Sequence, residues 1–178
     1  MNSSNNSDNE FIISIKGLPE GRHAYEFNVG HSLFEYYGNT QVSDADVCVK
    51  IEVEKGRGWM NVTNCSKGTV TVECDRCLDD LLLNVDFTAS MAVKFSKEGA
   101  GEVEADDEFL IVDPSDGELD LRQFIYDYIC INMPVTRVHK EGECNAGMID
   151  RLKMNSVQES TEGGNLPFEG LNELLDKK

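Results

Sequence analysis

The sequence lacks any long apolar segment. No stretch of its 178 residues approaches the roughly 18–20 consecutive apolar residues that a membrane-spanning helix needs. Residues 1–10 also lack the basic and apolar segments of a secretory signal. We therefore expect a protein that contacts no membrane and resides in the cytoplasm. In that compartment its six cysteines are reduced thiols or metal ligands rather than a disulfide framework.

Positive charge is also scarce. The chain has 16 lysines and arginines against 33 aspartates and glutamates, which gives a formal net charge of −17 at pH 7. At neutral pH this field repels phosphate backbones and anionic lipid surfaces, and it attracts basic proteins. The composition therefore argues against a protein that grips nucleic acid by a broad basic face. It remains compatible with a partner of basic proteins.

Several catalytic motifs are missing. The sequence contains no G-x-S-x-G, Walker A, G-x-G-x-x-G or H-E-x-x-H motif. Its acidic region lacks the D-x-D-x-D-G spacing of a calcium-binding loop. The classes of enzyme and calcium-binding protein that depend on these motifs are therefore not indicated.

Alternating apolar and polar residues predict a β-sheet. Residues 47–53 alternate in the way a half-buried strand does, and residues 59–63 return as a second strand. We expect a turn at residues 66–68 and a third strand over residues 70–74. Residues 83–95 place seven apolar side chains on one face, which predicts a long, bent strand. Short turns between these strands imply a mostly antiparallel, curved sheet that is partly barrel-like.

A helix and two tails complete the prediction. A short strand at Phe109–Val112 precedes a helix over residues 119–132, where apolar residues fall at helical spacing. We expect an α+β domain over residues 10–145, with the curved sheet packed against this one main helix. Residues 1–9 are expected to be disordered. Residues 146–178 are expected to form a polar, partly disordered tail with a short amphipathic helix at residues 168–175.

The segment Cys74-Asp75-Arg76-Cys77 is the most informative motif. A C-x-x-C turn at the end of a strand presents two thiolates to one ion, and a structural zinc site needs two further ligands. His139 and Cys144 form an H-x4-C segment after the predicted helix. The sequence therefore predicts a Cys3His zinc site, with a pair of buried thiols and a thiol–disulfide redox pair as alternatives.

The redox interpretation has less support in the sequence. A reactive C-x-x-C pair is expected at a helix N-terminus, which lowers the pKa of the thiol. Here the cysteines follow a predicted strand. We expect the neighbouring carboxylates of Asp75 and Asp79 to raise the pKa of a thiol rather than lower it.

Candidate partner-binding residues are both acidic and basic. Residues 98–120 contain ten acidic residues and no lysine or arginine. This run is either a solvated loop, a cation site or a docking site for a basic protein, and Asp106, Asp107 and Glu108 are the candidates at its centre. Arg76, between the two cysteines, either pairs with a neighbouring aspartate or contacts a phosphate or a partner carboxylate.

These motifs, taken in order, resemble the YceD family of large ribosomal RNA subunit accumulation proteins. The matching pieces are the C-x-R-C-L segment at residues 74–78, the helix and proline of residues 120–134, then His139 and Cys144. Residues 168–174 are similar to the family's short C-terminal Phe-x-x-Leu-x-x-Leu ending. The resemblance implies a role in accumulating or processing 23S ribosomal RNA and no known enzymatic activity.

We therefore expect a non-enzymatic factor in assembly of the large ribosomal subunit, without a small-molecule substrate. It is expected to act through a basic ribosomal protein or pre-ribosomal RNA, and any zinc is expected to be structural. Two other classes stay open. One is an enzyme, either a thiol–disulfide oxidoreductase at Cys74 and Cys77 or a hydrolase with catalytic zinc. The other is a general acidic adaptor protein.

Overall fold

The computed structural model describes residues 11–96, 109–113 and 115–158. Its elements in chain order are β1 (Ile12–Ser14), β2 (Gly21–Val29), α1 (His31–Tyr36), β3 (Val42–Lys55), β4 (Trp59–Glu73), β5 (Asp80–Phe95), β6 (Phe109–Val112), β7 (Glu118–Asp120), α2 (Arg122–Asn132) and α3 (Ala146–Gln158). No helix in these ranges has the length and apolar character needed to cross a membrane. The predicted N-terminal tail, the predicted helix at 168–175 and Asp106, Asp107 and Glu108 lie outside the described residues.

A five-stranded sheet forms the centre of the molecule. Its strand order is β2-β3-β4-β5-β6, and the first four strands form an antiparallel meander. Strand β6 runs parallel to β5, and β1 and β7 pair in a separate two-stranded sheet. The predicted α+β class with a mostly antiparallel sheet is confirmed. The described strands form no closed barrel, so the barrel-like detail is not confirmed.

One face of the sheet forms the core with α2. Alternate residues of β3 and β4 are fully buried, and so are Ile125 and Ile129 on α2. Each such branched side chain contributes about 1.5–3 kcal/mol relative to an exposed position. The opposite face of the sheet carries polar side chains, as the alternation predicts.

The predicted turn at residues 66–68 is wrong, because β4 continues through it to Glu73. Gly68 pairs with Val47 of β3, and a Cβ atom at Gly68 would lie 2.1 Å from the carbonyl oxygen of Asp46. The glycine therefore serves a close approach of two strands rather than a turn. Ser66 points into the core, where its hydroxyl donates to Asn64 Oδ1 at 2.7 Å.

The main helix begins three residues later than predicted. Residues 118–120 form strand β7, which pairs with β1, and α2 starts at Arg122. Asp120 lies just before the helix, and its Oδ1 accepts the backbone N–H of Arg122 at 2.9 Å. Asp120, the last residue of β7, therefore satisfies one of the free N–H groups at the start of α2. A further helix, α3, lies in the segment that was expected to be a polar tail.

Substitution at Gly68 tests the reason for the continuous strand. We expect Gly68→Ala to lower the free energy of unfolding by about 3 kcal/mol, because the new methyl group meets backbone atoms of β3. The matched control is Gly58→Ala in the β3–β4 turn, where a Cβ atom has no neighbour within 4 Å. The control should unfold at the same urea concentration as the parent or slightly higher. Equal stability of both variants would contradict the close approach.

Candidate metal centre

A tight turn carries the C-x-x-C motif between β4 and β5. The backbone N–H of Cys74 donates to the carbonyl of Asp79 at 2.9 Å, and the N–H of Leu78 donates to the carbonyl of Cys74 at 2.9 Å. Leu78 closes the turn with a φ of +62°, in the left-handed region that branched and bulky residues rarely adopt. The turn buries both cysteines, Cys74 with 0% and Cys77 with 1% of its surface exposed.

Asp75 and Arg137 join this turn to the segment that follows α2. The backbone N–H of Asp75 donates to the carbonyl of Arg137 at 2.7 Å, and the N–H of Arg137 donates to Asp75 Oδ2 at 2.6 Å. The Arg137 guanidinium lies 3.6 Å from Asp75 Oδ1 and also donates to Gln41 Oε1 at 3.0 Å. These contacts hold together Asp75 and Arg137, which are 62 positions apart in sequence. His139, two residues after Arg137, therefore lies beside the thiols.

The His139 ring lies between a thiol and a backbone carbonyl. Its Nδ1 is 3.3 Å from Cys77 Sγ, and its Nε2 is 3.1 Å from the carbonyl oxygen of Asp80. Because a carbonyl oxygen only accepts hydrogen bonds, Nε2 carries the hydrogen in this arrangement. Nδ1 then has its lone pair available, which is how a protein fixes the tautomer of a metal-binding histidine.

Cys144 is placed by a turn on one side and a helix on the other. The N–H of Glu143 donates to the carbonyl of Lys140 at 3.0 Å. Asn145 follows Cys144 and caps α3, since its Oδ1 accepts the N–H of Gly147 at 3.0 Å. The thiol of Cys144 therefore has structured backbone both before and after it.

The four predicted ligands come together. The Sγ atoms of Cys74, Cys77 and Cys144 and a ring nitrogen of His139 all lie within 4.8 Å of one another. In a tetrahedral zinc site, neighbouring sulfur atoms are about 3.8 Å apart, and a sulfur and a nitrogen are about 3.6 Å apart. The donor set and its spacing fit a tetrahedral ion, so these residues can hold a metal.

Backbone amides favour the thiolate of Cys74. Burial alone raises the pKa of this thiol, but the N–H groups of Cys77, His139 and Arg76 hydrogen-bond to it and lower its pKa to about 6. The Cys74 sulfur in turn raises the pKa of the His139 imidazole, because a protonated ring would hydrogen-bond to it. A metal ligand must be a thiolate, so this arrangement prepares Cys74 for the role.

The expectation that the flanking aspartates raise this pKa is wrong for Cys74. The carboxylate of Asp75 accepts the Arg137 amide and faces its guanidinium, so its charge is balanced locally. The sequence identifies the four ligands, but it does not indicate the positioning roles of Asp75, Arg137 and the Asp80 carbonyl. A backbone carbonyl leaves no signal in the residue types.

No other candidate residue that the structure describes belongs to the four-ligand cluster. Arg76 is exposed, and among the described residues its side chain makes no ion pair with either neighbouring aspartate. Cys65 lies in β4, with its sulfur 3.6 Å from Thr88 Oγ1. Cys48 donates to Glu26 at 3.4 Å on the same outer face.

One comparison with known proteins is informative. The family model described as large ribosomal RNA subunit accumulation protein YceD matches residues 65–175, which is more than half of the chain. The match contains all four candidate ligands. No curated protein and no solved structure matches the chain.

Removal of the Asp75 carboxylate tests the junction that positions the centre. We expect Asp75→Ala to lower the free energy of unfolding by about 2 kcal/mol, because the Arg137 amide and guanidinium lose a charged acceptor. The control is Asp79→Ala in the same turn, an exposed side chain with no partner among the described residues, which should change stability by less than about 0.5 kcal/mol. Urea unfolding with chelator present in both samples separates this effect from metal binding.

Proposed function

This chain belongs to the YceD family of large ribosomal RNA subunit accumulation proteins, and from that premise we propose that it promotes accumulation of 23S ribosomal RNA during assembly of the large ribosomal subunit. The observation that carries the proposal is the family match across the metal centre and the helices on either side of it. The protein acts in the cytoplasm as an assembly factor without a small-molecule substrate.

The metal in this proposal is zinc, with a structural role. Three thiolates and one imidazole are soft to borderline ligands, which suit Zn²⁺ better than Mg²⁺ or Ca²⁺. With four protein ligands the ion has no open position for water or substrate. Its effect is to tie the β4–β5 turn to the segment between α2 and α3, beside the contacts of Asp75 with Arg137.

The burial of the thiols supports a non-enzymatic role. A pKa of about 6 at Cys74 would suit a redox nucleophile, but Cys74 and Cys77 are 0% and 1% exposed. A disulfide substrate cannot approach sulfur atoms covered in this way. A hydrolase with catalytic zinc would need a ligand position left open for water. The four-ligand cluster argues against that second enzyme class.

The partner in this proposal is a basic ribosomal protein. A net charge of −17 repels RNA phosphates and attracts polypeptides rich in lysine and arginine. The acidic residues Asp106, Asp107 and Glu108 bind such a protein and shield it from nonspecific RNA until delivery. Arg76 supplies an exposed cation next to the metal centre for a carboxylate of the same partner. A general acidic adaptor would lack the effect on ribosomal RNA.

Zinc content tests the metal assignment. Purified protein should contain one zinc ion per chain by atomic emission, and Cys77→Ser should lose most of it because one of four ligands is gone. Cys65→Ser, on the outer face of β4, is the matched control and should keep the metal. Chelator should lower the melting temperature of the parent and the control but not of Cys77→Ser. Equal zinc content in both variants would rule out the proposed ligand set.

Neutralising the acidic candidates tests the partner. In cells that rely on this chain, Asp106→Asn, Asp107→Asn and Glu108→Gln together should reduce crosslinking to basic ribosomal proteins and lower the ratio of 23S to 16S RNA. The control changes charge equally on the exposed face of β3, through Asp46→Asn, Glu52→Gln and Glu54→Gln. Sucrose-gradient fractions and quantitative RNA measurements give the readout. Unchanged crosslinks and RNA ratios in the first triple variant would remove the proposed partner site.

A further inference from the structure

Among the described residues, strand β5 is paired on only one side over most of its length. Strand β4 covers one edge of β5 from Asp80 to Lys94. On the other edge, β6 pairs only with residues from Ala92 to Phe95. Among residues 11–96, 109–113 and 115–158, no strand pairs with the outer edge of residues 81–91. Such an edge presents a row of N–H and C=O groups to which another chain can add as a strand.

A cleft of about 670 Å³ lies where this open edge ends. Ser90 and Met91 of β5 line it together with Phe109, the first residue of β6, and with Phe124 and Tyr128 of α2. The Phe124 and Tyr128 rings contact each other edge to face, with centroids 4.9 Å apart. All the described residues that line the cleft are uncharged, although 28% of the chain is charged. The cleft therefore suits an apolar or aromatic side chain.

Acidic residues lie at the start of this edge. Asp79 and Asp80 precede or begin β5, and both are exposed. Asp86, midway along β5, already pairs with Lys67 of β4 at 3.2 Å. An added strand that carries lysine or arginine would therefore meet carboxylates. The phosphates of a single-stranded RNA would meet the same carboxylates and be repelled.

We propose that the open edge of β5 binds an extended, lysine- or arginine-rich protein segment as an added strand, with one apolar side chain of that segment in the Phe109–Phe124–Tyr128 cleft. This inference rests on the proposed function and specifies how the basic partner is held. Main-chain hydrogen bonds along residues 81–91 provide the binding and the cleft provides the register. The exposed carboxylates of Asp79 and Asp80 select for basic partners.

Amide hydrogen exchange on the full chain tests this mode of binding. The probe is a ten-residue peptide of alternating lysine and valine. Amides at alternate positions within residues 81–91, those that do not face β4, should exchange at least about tenfold more slowly with the peptide bound. Binding should weaken between about 0.05 M and about 0.5 M salt, because the carboxylates of Asp79 and Asp80 are exposed. The same peptide with proline at its two central positions should not bind.

Two variants, each of which adds one positive charge, test whether the peptide binds at the outer edge of β5. Ser90→Lys places a cation at the end of the open edge and should weaken peptide binding by about tenfold, which is about 1.4 kcal/mol. Asn28→Lys, on the exposed face of β2 at the opposite side of the sheet, should leave it unchanged. Both positions are exposed, so neither variant should affect folding.

Several outcomes would overturn the proposal. One is absence of peptide binding; others are protection outside β5, equal binding by the two lysine variants, or edge amides that are already protected in the free protein. Protection of the edge by a ten-nucleotide oligouridine and not by the peptide would identify an RNA surface instead. If the peptide result is negative while the acidic triple variant still lowers 23S RNA, only the edge proposal fails. If the edge binds the peptide but neither Ser90→Lys nor the acidic triple variant changes 23S RNA in cells, the proposed function is at fault.

Discussion

The paired hydrogen bonds between Asp75 and Arg137 join two parts of the chain that are 62 residues apart. One part is the turn at the end of a long antiparallel meander, and the other is the segment that leaves the main helix. Since His139 follows Arg137 by two residues, the same bonds that set the backbone register also bring the imidazole to the thiols. Arg137 lies between α2 and α3, so this junction connects the segment between the two helices to the β4–β5 turn.

Local periodicity explains which parts of the fold were predictable. In β3, β5 and α2 the burial of each residue follows from its own position in an alternating or helical pattern, so the sequence carries the signal. Ser66 and Gly68 are different, because a polar residue and a glycine here face a core and a close neighbouring strand. Their reason for being in a strand lies in β3, about 20 residues away, and no local pattern reveals it. Strand β7 likewise exists only because β1 pairs with it.

The candidate metal centre was also predictable only in part. Residue type and spacing are enough to identify Cys74, Cys77, His139 and Cys144, because few side chains bind soft metal ions. The pKa of the Cys74 thiol could not be predicted from residue type and spacing. Carboxylates near a thiol suggest a raised pKa, whereas in the folded protein three backbone amides act on Cys74 and the Asp75 charge is balanced by Arg137. Amide directions are set by the turn geometry, which the residue types leave open.

The order of the elements along the chain has a kinetic consequence. Strands β3, β4 and β5 pair in sequence through connections of a few residues, and β2 pairs with β3 across α1, so the meander forms by closing local loops. His139 and Cys144, the other two candidate ligands, come more than sixty residues after the C-x-x-C turn. During synthesis the two thiols therefore exist as a half-formed site before His139 and Cys144 have been translated. The Cys74–Cys77–His139–Cys144 cluster can therefore assemble only after synthesis has passed Cys144, and a chain that ends before His139 lacks half of its side chains.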